Sequence, residues 1–171
     1  MRHAHLVLLP SLIILCFLSA CNKEKIVDEC PIDYAIDSSF NYTLVGKWRF
    51  VGFRDTSNGS MDHVLCGEVE SFLNFTDSIH SVSGNPAYIY PYVLKGGALI
   101  NSISGSYETF DTNGIRISKT VKSSVNGTQQ VKDFEQRFYT LMESASRYRI
   151  NYNELTLYPA DGSVTMVFIP D

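Results

Sequence analysis

Few side chains in this sequence are equipped for chemistry. There are four cysteines (Cys16, Cys21, Cys30 and Cys66) and four histidines, of which only His63 and His80 lie outside the apolar leader. The segment DHVLC brings Asp62, His63 and Cys66 within five residues, a combination that could serve as nucleophile, base and carboxylate or as part of a metal site. Two ligand types three residues apart with no third in view do not complete a metal shell, and a histidine without a partner makes a poor base. His63 and His80 are therefore expected in solvated loops, with no catalytic residue, metal or cofactor. The acidic residues lack calcium-loop spacing, and Gly96-Gly97 reads as an isolated turn rather than a phosphate cradle. Aromatic residues offer more. In AYIYPYVL, Tyr88, Tyr90 and Tyr92 alternate, so one strand face would carry three phenols. Pointing into a barrel mouth, they could stack on a sugar or an apolar ligand; pointing outward, they could meet a protein partner. As core near a wet edge, each hydroxyl would find a partner inside the fold.

Cys21 sits in a different context. MRHAHLVLLPSLIILCFLSAC has Arg2 at its start, about thirteen apolar residues, and small Ser19 and Ala20 before the cysteine. The apolar run is short of the ~20 residues that a bilayer-spanning helix needs, and Pro10 and Ser11 interrupt it, so it reads as a secretion signal. Leu18-Ser19-Ala20-Cys21 resembles the bacterial lipobox. The resemblance implies a diacylglyceryl group on the Cys21 sulfur, cleavage before Cys21 and acylation of the new amine. Each buried methylene is worth ~0.8 kcal/mol, so two or three acyl chains hold firmly where one holds marginally. An ordinary secretory signal that happens to contain cysteine is the alternative. The lipobox reading implies a membrane partner through an N-terminal lipid anchor. It also implies a place in the cell envelope, and Asn22 is compatible with the outer membrane of a Gram-negative bacterium, on either face.

Cys16 would leave with the leader, so Cys30 and Cys66 form an even pair in an exported chain, for which a disulfide is expected; unpaired thiols are the alternative. A bridge closing a loop of about 35 residues would stabilise by roughly 3–4 kcal/mol in the chain-entropy model. The formal net charge of −4 argues against nucleic acid, whose binding needs a basic patch. Length and composition predict a leader at 1–20, a polar tether at 21–40 and one β domain at 41–171, acting as a monomer.

The elements that must position these side chains follow from periodicity. From Leu44 onward the apolar period is mostly two. GKWRFVGF sets Trp48 and Phe50 against Lys47 and Arg49, and ESFLNFT and AYIYPYVL are rich in strand-forming residues. Pro91 makes the latter an edge or a bent strand. ISGSYETF and GIRISKTV flank Asn113-Gly114, a hairpin signal, and Gly105 suggests a bulge. Val131, Phe134, Phe138, Leu141 and Met142 instead share one face of a helix over about 129–145, with Lys132, Glu135, Gln136 and Glu143 pointing elsewhere and Thr128 or Asn126 as cap. RYRIN, ELTLYP and SVTMVFI close the chain through turns at Asn153-Glu154 and Ala160-Asp161-Gly162. The pattern predicts a mainly β fold: a small antiparallel lipocalin-like barrel or curved sheet, covered or plugged by one amphipathic helix.

The order of residues also resembles the META domain family, also called heat-shock HslJ-like, best over 98–169. Asn101, Gly105, Tyr107, Glu135, Phe138, Tyr148, Ile150, Leu155, Leu157, Asp161 and Gly162 occupy that family's pattern, and Leu44, Gly46 and Trp48 match its opening. The resemblance implies a lipocalin-like barrel with a helix, found in outer-membrane lipoproteins and envelope-stress proteins, with no established reaction. The expectation is a non-enzymatic envelope lipoprotein acting by binding or structural support. The alternative is a lipocalin-type carrier of a small apolar or sugar ligand, disfavoured if large side chains fill the barrel.

Overall fold

Alternating apolar residues commit most of the chain to strands, because side chains two apart share a face and can be buried together. The structure, a computed structural model, describes residues 34–39, 42–64, 70–79, 90–123 and 125–171. Cys21, Cys30, Cys66, His80 and Tyr88 lie outside these residues, as does the 1–20 leader. The strands are β1 (Gly46–Asp55), β2 (Met61–His63), β3 (Phe72–Ile79), β4 (Tyr92–Ala98), β5 (Asn101–Phe110), β6 (Gly114–Lys122), β7 (Ala145–Asn151), β8 (Glu154–Pro159) and β9 (Val164–Pro170). One helix, α1 (Gln129–Glu143), joins β6 to β7.

Every pairing is antiparallel, in the order β2-β1-β3-β4-β5-β6-β7-β8-β9, and β9 returns to β1. Eight strands therefore close into a barrel, with β2 a short flap on the second half of β1. Closure leaves few unpaired edges. The expected mainly β, lipocalin-like barrel with one helix is the fold observed.

β1 carries the closure. Its first half pairs with β3, its second half with β2, and its other side with β9 from Trp48 to Asp55. A register shift between Phe50 and Gly52 turns both Phe50 and Phe53 inward, while Val51 joins Val167 and Ile169 in a small cluster under Tyr34 and Met61. The seam between β6 and β7 is the thinnest, paired only at Gly114 and Arg147. α1 packs beside it, its Phe134 and Phe138 meeting Phe50, Phe53 and Phe168 at ring-centroid distances of 4.9–6.3 Å within the cluster. The helix starts at Thr128, whose hydroxyl accepts from the Val131 amide, and ends before the expected 145 because Ala145 already pairs with Pro159.

Several local expectations shift. Gly96-Gly97 lies inside β4 rather than in a turn: a Cβ on Gly96 would stand 2.8 Å from the Phe72 carbonyl oxygen and 2.9 Å from Leu73. The β5–β6 hairpin forms, but its left-handed residue is Asp111 (φ 52°), ahead of Asn113-Gly114. Gly105 does mark an irregularity, with the register slipping between Ser104 and Gly105. The β7–β8 turn falls on Tyr152 (φ 57°) and Asn153, one residue earlier than predicted. Asn153 is occupied elsewhere, accepting from the Asp37 amide (2.8 Å) and donating to the Ala35 carbonyl (2.8 Å).

Those two bonds fasten the end of the N-terminal segment to the barrel wall. Beside them, the Arg54 guanidinium grips Glu154 with two bonds of 2.9 Å, and the Tyr34 hydroxyl donates to Glu154 at 2.7 Å. Burial alone would raise the Glu154 pKa, but the Arg54 fork, Tyr34 and Thr156 outweigh it and hold the carboxyl below its ordinary 4.5. Burial and the adjacent carboxylate push the Tyr34 phenol up to about 12. A carboxyl depressed on folding contributes its full stability above about pH 4.5, and loses it as pH falls through the folded value. Chemical denaturation across acid pH should therefore show Glu154→Gln flatter than wild type below pH 4.5. At pH 7 the variant should be about 1–3 kcal/mol less stable, since Arg54 keeps some contact with water. Equal acid slopes for the two proteins would show that this cluster does not drive acid unfolding.

Candidate functional site

The polar residues of the sequence pattern meet at one end of the barrel, under α1. Glu135, expected to point away from the buried face, is 2% exposed. Its Oε1 accepts from the backbone amides of Ile100 (3.2 Å) and Asn101 (2.9 Å), and its Oε2 accepts from Asn101 Nδ2 at 2.6 Å. This correction has a local cause. The β4–β5 turn puts Leu99 at φ 52°, which is unfavourable for a bulky residue, and its next two amides need an acceptor that only a carboxylate on the helix supplies. Asn101 is fully used: Nδ2 also donates to the Val125 carbonyl, Oδ1 accepts from Val125 N (2.7 Å) and Ser123 Oγ (3.2 Å), and its carbonyl accepts from the Tyr139 hydroxyl at 3.1 Å. Burial, then Glu135, drives the Tyr139 phenol well above its ordinary value. A shallow depression of about 280 Å³ opens over this cluster, but Asn101 and Glu135 in it have their hydrogen-bonding capacity committed to the fold. The arrangement clamps α1 to the turn.

At the other end of the barrel the described residues leave a hollow. β3 ends there, β4 begins there, and Thr43, Leu44 and Val45 just ahead of β1 approach, leaving a cavity of about 240 Å³. Tyr92, Tyr107, Tyr148 and Asp77 line it. Tyr92 faces Tyr107 across the β4–β5 ladder, with ring centroids 5.4 Å apart, and Phe75 meets Tyr107 edge-on at 5.1 Å beneath. Tyr148 comes from β7, opposite Leu157. The Tyr107 hydroxyl donates to the Thr76 carbonyl at 2.8 Å, and its pKa is pushed up to about 12 by burial first, then by Tyr92, Asp77 and Tyr148. Below the mouth the interior is solid, with Trp48, Phe50, Phe53, Leu73, Phe75, Leu94, Phe138 and Phe168 all buried.

Of the predicted tyrosines, Tyr92 reaches this mouth. Tyr90 does not share its strand: the chain bends at Tyr90 and Pro91, β4 starts at Tyr92, and the Tyr90 amide donates to Ser106 Oγ at 3.2 Å. Pro91, which has no N–H for a ladder, separates them. His63 is half-buried in β2, not in a solvated loop, and its Nδ1 has no hydrogen-bond partner among the described residues. Asp77 was not legible as a site residue, and Tyr107 and Tyr148 stood out only through the family pattern. Each sits in a separate strand, so only barrel closure brings them together.

Residues 91–170 match the family described as the META domain. The match to the META domain is confined to that stretch. β4 through β9 and α1 fall within the matched residues, whereas β1, β2 and β3 precede them and complete the barrel. Among solved structures, a DUF4847 family protein from Bacteroides vulgatus superposes with a TM-score of 0.51 at 14% identity, covering 74% of this chain and 92% of that one. A protein from Burkholderia xenovorans solved by NMR superposes with a TM-score of 0.56 at 13% identity, covering 82% and 99%. At such identities the likeness is one of fold. A comparison with curated proteins finds no match.

Within the matched residues, the Asn101–Glu135 pair should behave as a structural element. Glu135→Ala is expected to cost about 2–3 kcal/mol by chemical denaturation, because three buried donors lose their acceptor. Gln136→Ala, one residue away on the exposed face, should stay within about 0.5 kcal/mol of wild type. Similar costs for both would remove the clamp from the account.

Proposed function

We propose that this protein is a lipid-anchored lipoprotein of the bacterial envelope whose META barrel acts by binding or structural support rather than by catalysis. The observation that carries the non-catalytic reading is the state of the motif side chains. Asn101 spends all its side-chain donors and acceptors, and Glu135 three of its acceptor sites, on holding α1 and the β4–β5 turn, which leaves little to offer a substrate. The anchor rests on sequence: a short apolar leader ending in LSAC, with Cys21 as the acylated residue and Asn22 suiting export to the outer membrane. The docked end of the N-terminal segment fits this reading, since it would hold the barrel close to an anchored terminus. The carrier alternative narrows at the same time. Aromatic and aliphatic side chains fill the interior, so a lipocalin-type ligand chamber has no room, and a small ligand would have to sit at the mouth.

Growth with radioactive palmitate tests the anchor. Wild type should carry label and fractionate with membranes, and Cys21→Ala should lose both; equal labelling of the two, or none on wild type, would sink the lipoprotein assignment. Mass spectrometry of the unreduced protein should also contain a Cys30–Cys66 cross-linked peptide, which would staple the tether to the barrel; free thiols at both positions would dispose of that staple.

A further inference from the structure

The mouth is electrostatically one-sided. Among its described lining residues there is one carboxylate, Asp77, and no basic side chain. Asp77 has no salt-bridge partner among the described residues. Three basic residues on the strands around it are engaged elsewhere: Lys47 pairs with Asp171, Arg116 with Glu108, and Arg147 lies over the Tyr158 ring. The half-buried rings of Tyr92 and Tyr148 line the same space, with the buried Tyr107 ring packed behind Tyr92, and an aromatic ring attracts a cation most strongly where water is partly excluded. At the rim, Val45 is 48% exposed, and Ile79, which pairs with Tyr92, is 69% exposed. Two apolar residues beside a carboxylate suit a cation that carries hydrocarbon. The cavity of about 240 Å³ lies below the size usual for drug-like ligands, so it suits a head group.

We propose that the barrel mouth binds a small organic cation, an ammonium group with apolar substituents, against the rings of Tyr92 and Tyr148 and the carboxylate of Asp77. A sugar fits less well. It needs a fan of in-plane donors and acceptors, and the Tyr107 hydroxyl already gives its proton to Thr76. The proposal rests on the binding reading of the barrel and is independent of the lipid anchor, so its failure would leave the palmitate result standing, and the reverse.

Calorimetric titration of the full processed chain in detergent would test it, with choline, its uncharged carbon isostere dimethylbutanol, and glucose as probes. Choline should bind saturably, and dimethylbutanol about tenfold more weakly. Asp77→Asn and Tyr148→Leu should each weaken choline by roughly fivefold to tenfold, with circular dichroism unchanged for Asp77→Asn because Asp77 is exposed. An absence of saturable choline binding would overturn the proposal. So would equal affinity for the isostere, tighter binding of glucose, or choline affinity unchanged in Asp77→Asn.

Discussion

A single buried carboxylate ties the helix of this barrel to the β4–β5 turn. Glu135 comes from the helix, its three donors come from the β4–β5 turn, and Asn101 extends the network to Val125 just before the helix starts. Burying a carboxylate is costly unless its oxygens are satisfied, and here they are, so the network has one well-defined geometry rather than several poor ones. That geometry sets the depth at which α1 sits. With α1 fixed, Phe134 and Phe138 reach Phe50, Phe53 and Phe168, and the thin β6–β7 seam gains a packed neighbour.

The two ends of the barrel are built for different tasks. The helix end is closed by aromatic packing, where edge-to-face contacts add to the burial of large surfaces. The opposite end narrows onto Trp48, whose indole N–H donates to the Leu44 carbonyl at 2.9 Å, and stops one layer short of the rim. A barrel of eight strands has an interior just wide enough for side chains to fill, so any room for a guest must be at a mouth. The barrel thus presents a packed floor with a shallow, tyrosine-lined cup carrying Asp77 above it.

The outer wall carries a second small core. The register shift in β1 turns Val51 outward to meet Val167 and Ile169, and Tyr34 covers them while its hydroxyl reaches Glu154. One extra residue in a strand therefore has two consequences: an additional phenylalanine inside, and an apolar landing point for the N-terminal segment outside.

Much of this was legible in the chain itself. Period-two alternation marked the strands, the 3.6-residue spacing from Val131 to Met142 marked the helix, and Thr128 marked its start, because local geometry alone decides which side chains share a face. Glu135 was misjudged because a charged residue at the border of an apolar face looks solvent-directed until its partners, more than thirty residues away, are in place. Tyr90 and Tyr92 parted because Pro91 ended the ladder between them. The mouth was invisible for a stricter reason. Asp77, Tyr92, Tyr107 and Tyr148 come from four strands, and their meeting depends on the β1–β9 closure and on register, which are long-range pairings that no local pattern encodes. Sequence alone determined the elements and their inward faces; tertiary structure decided which inward faces became core and which were left open, because only closure of the barrel sets the distance between them.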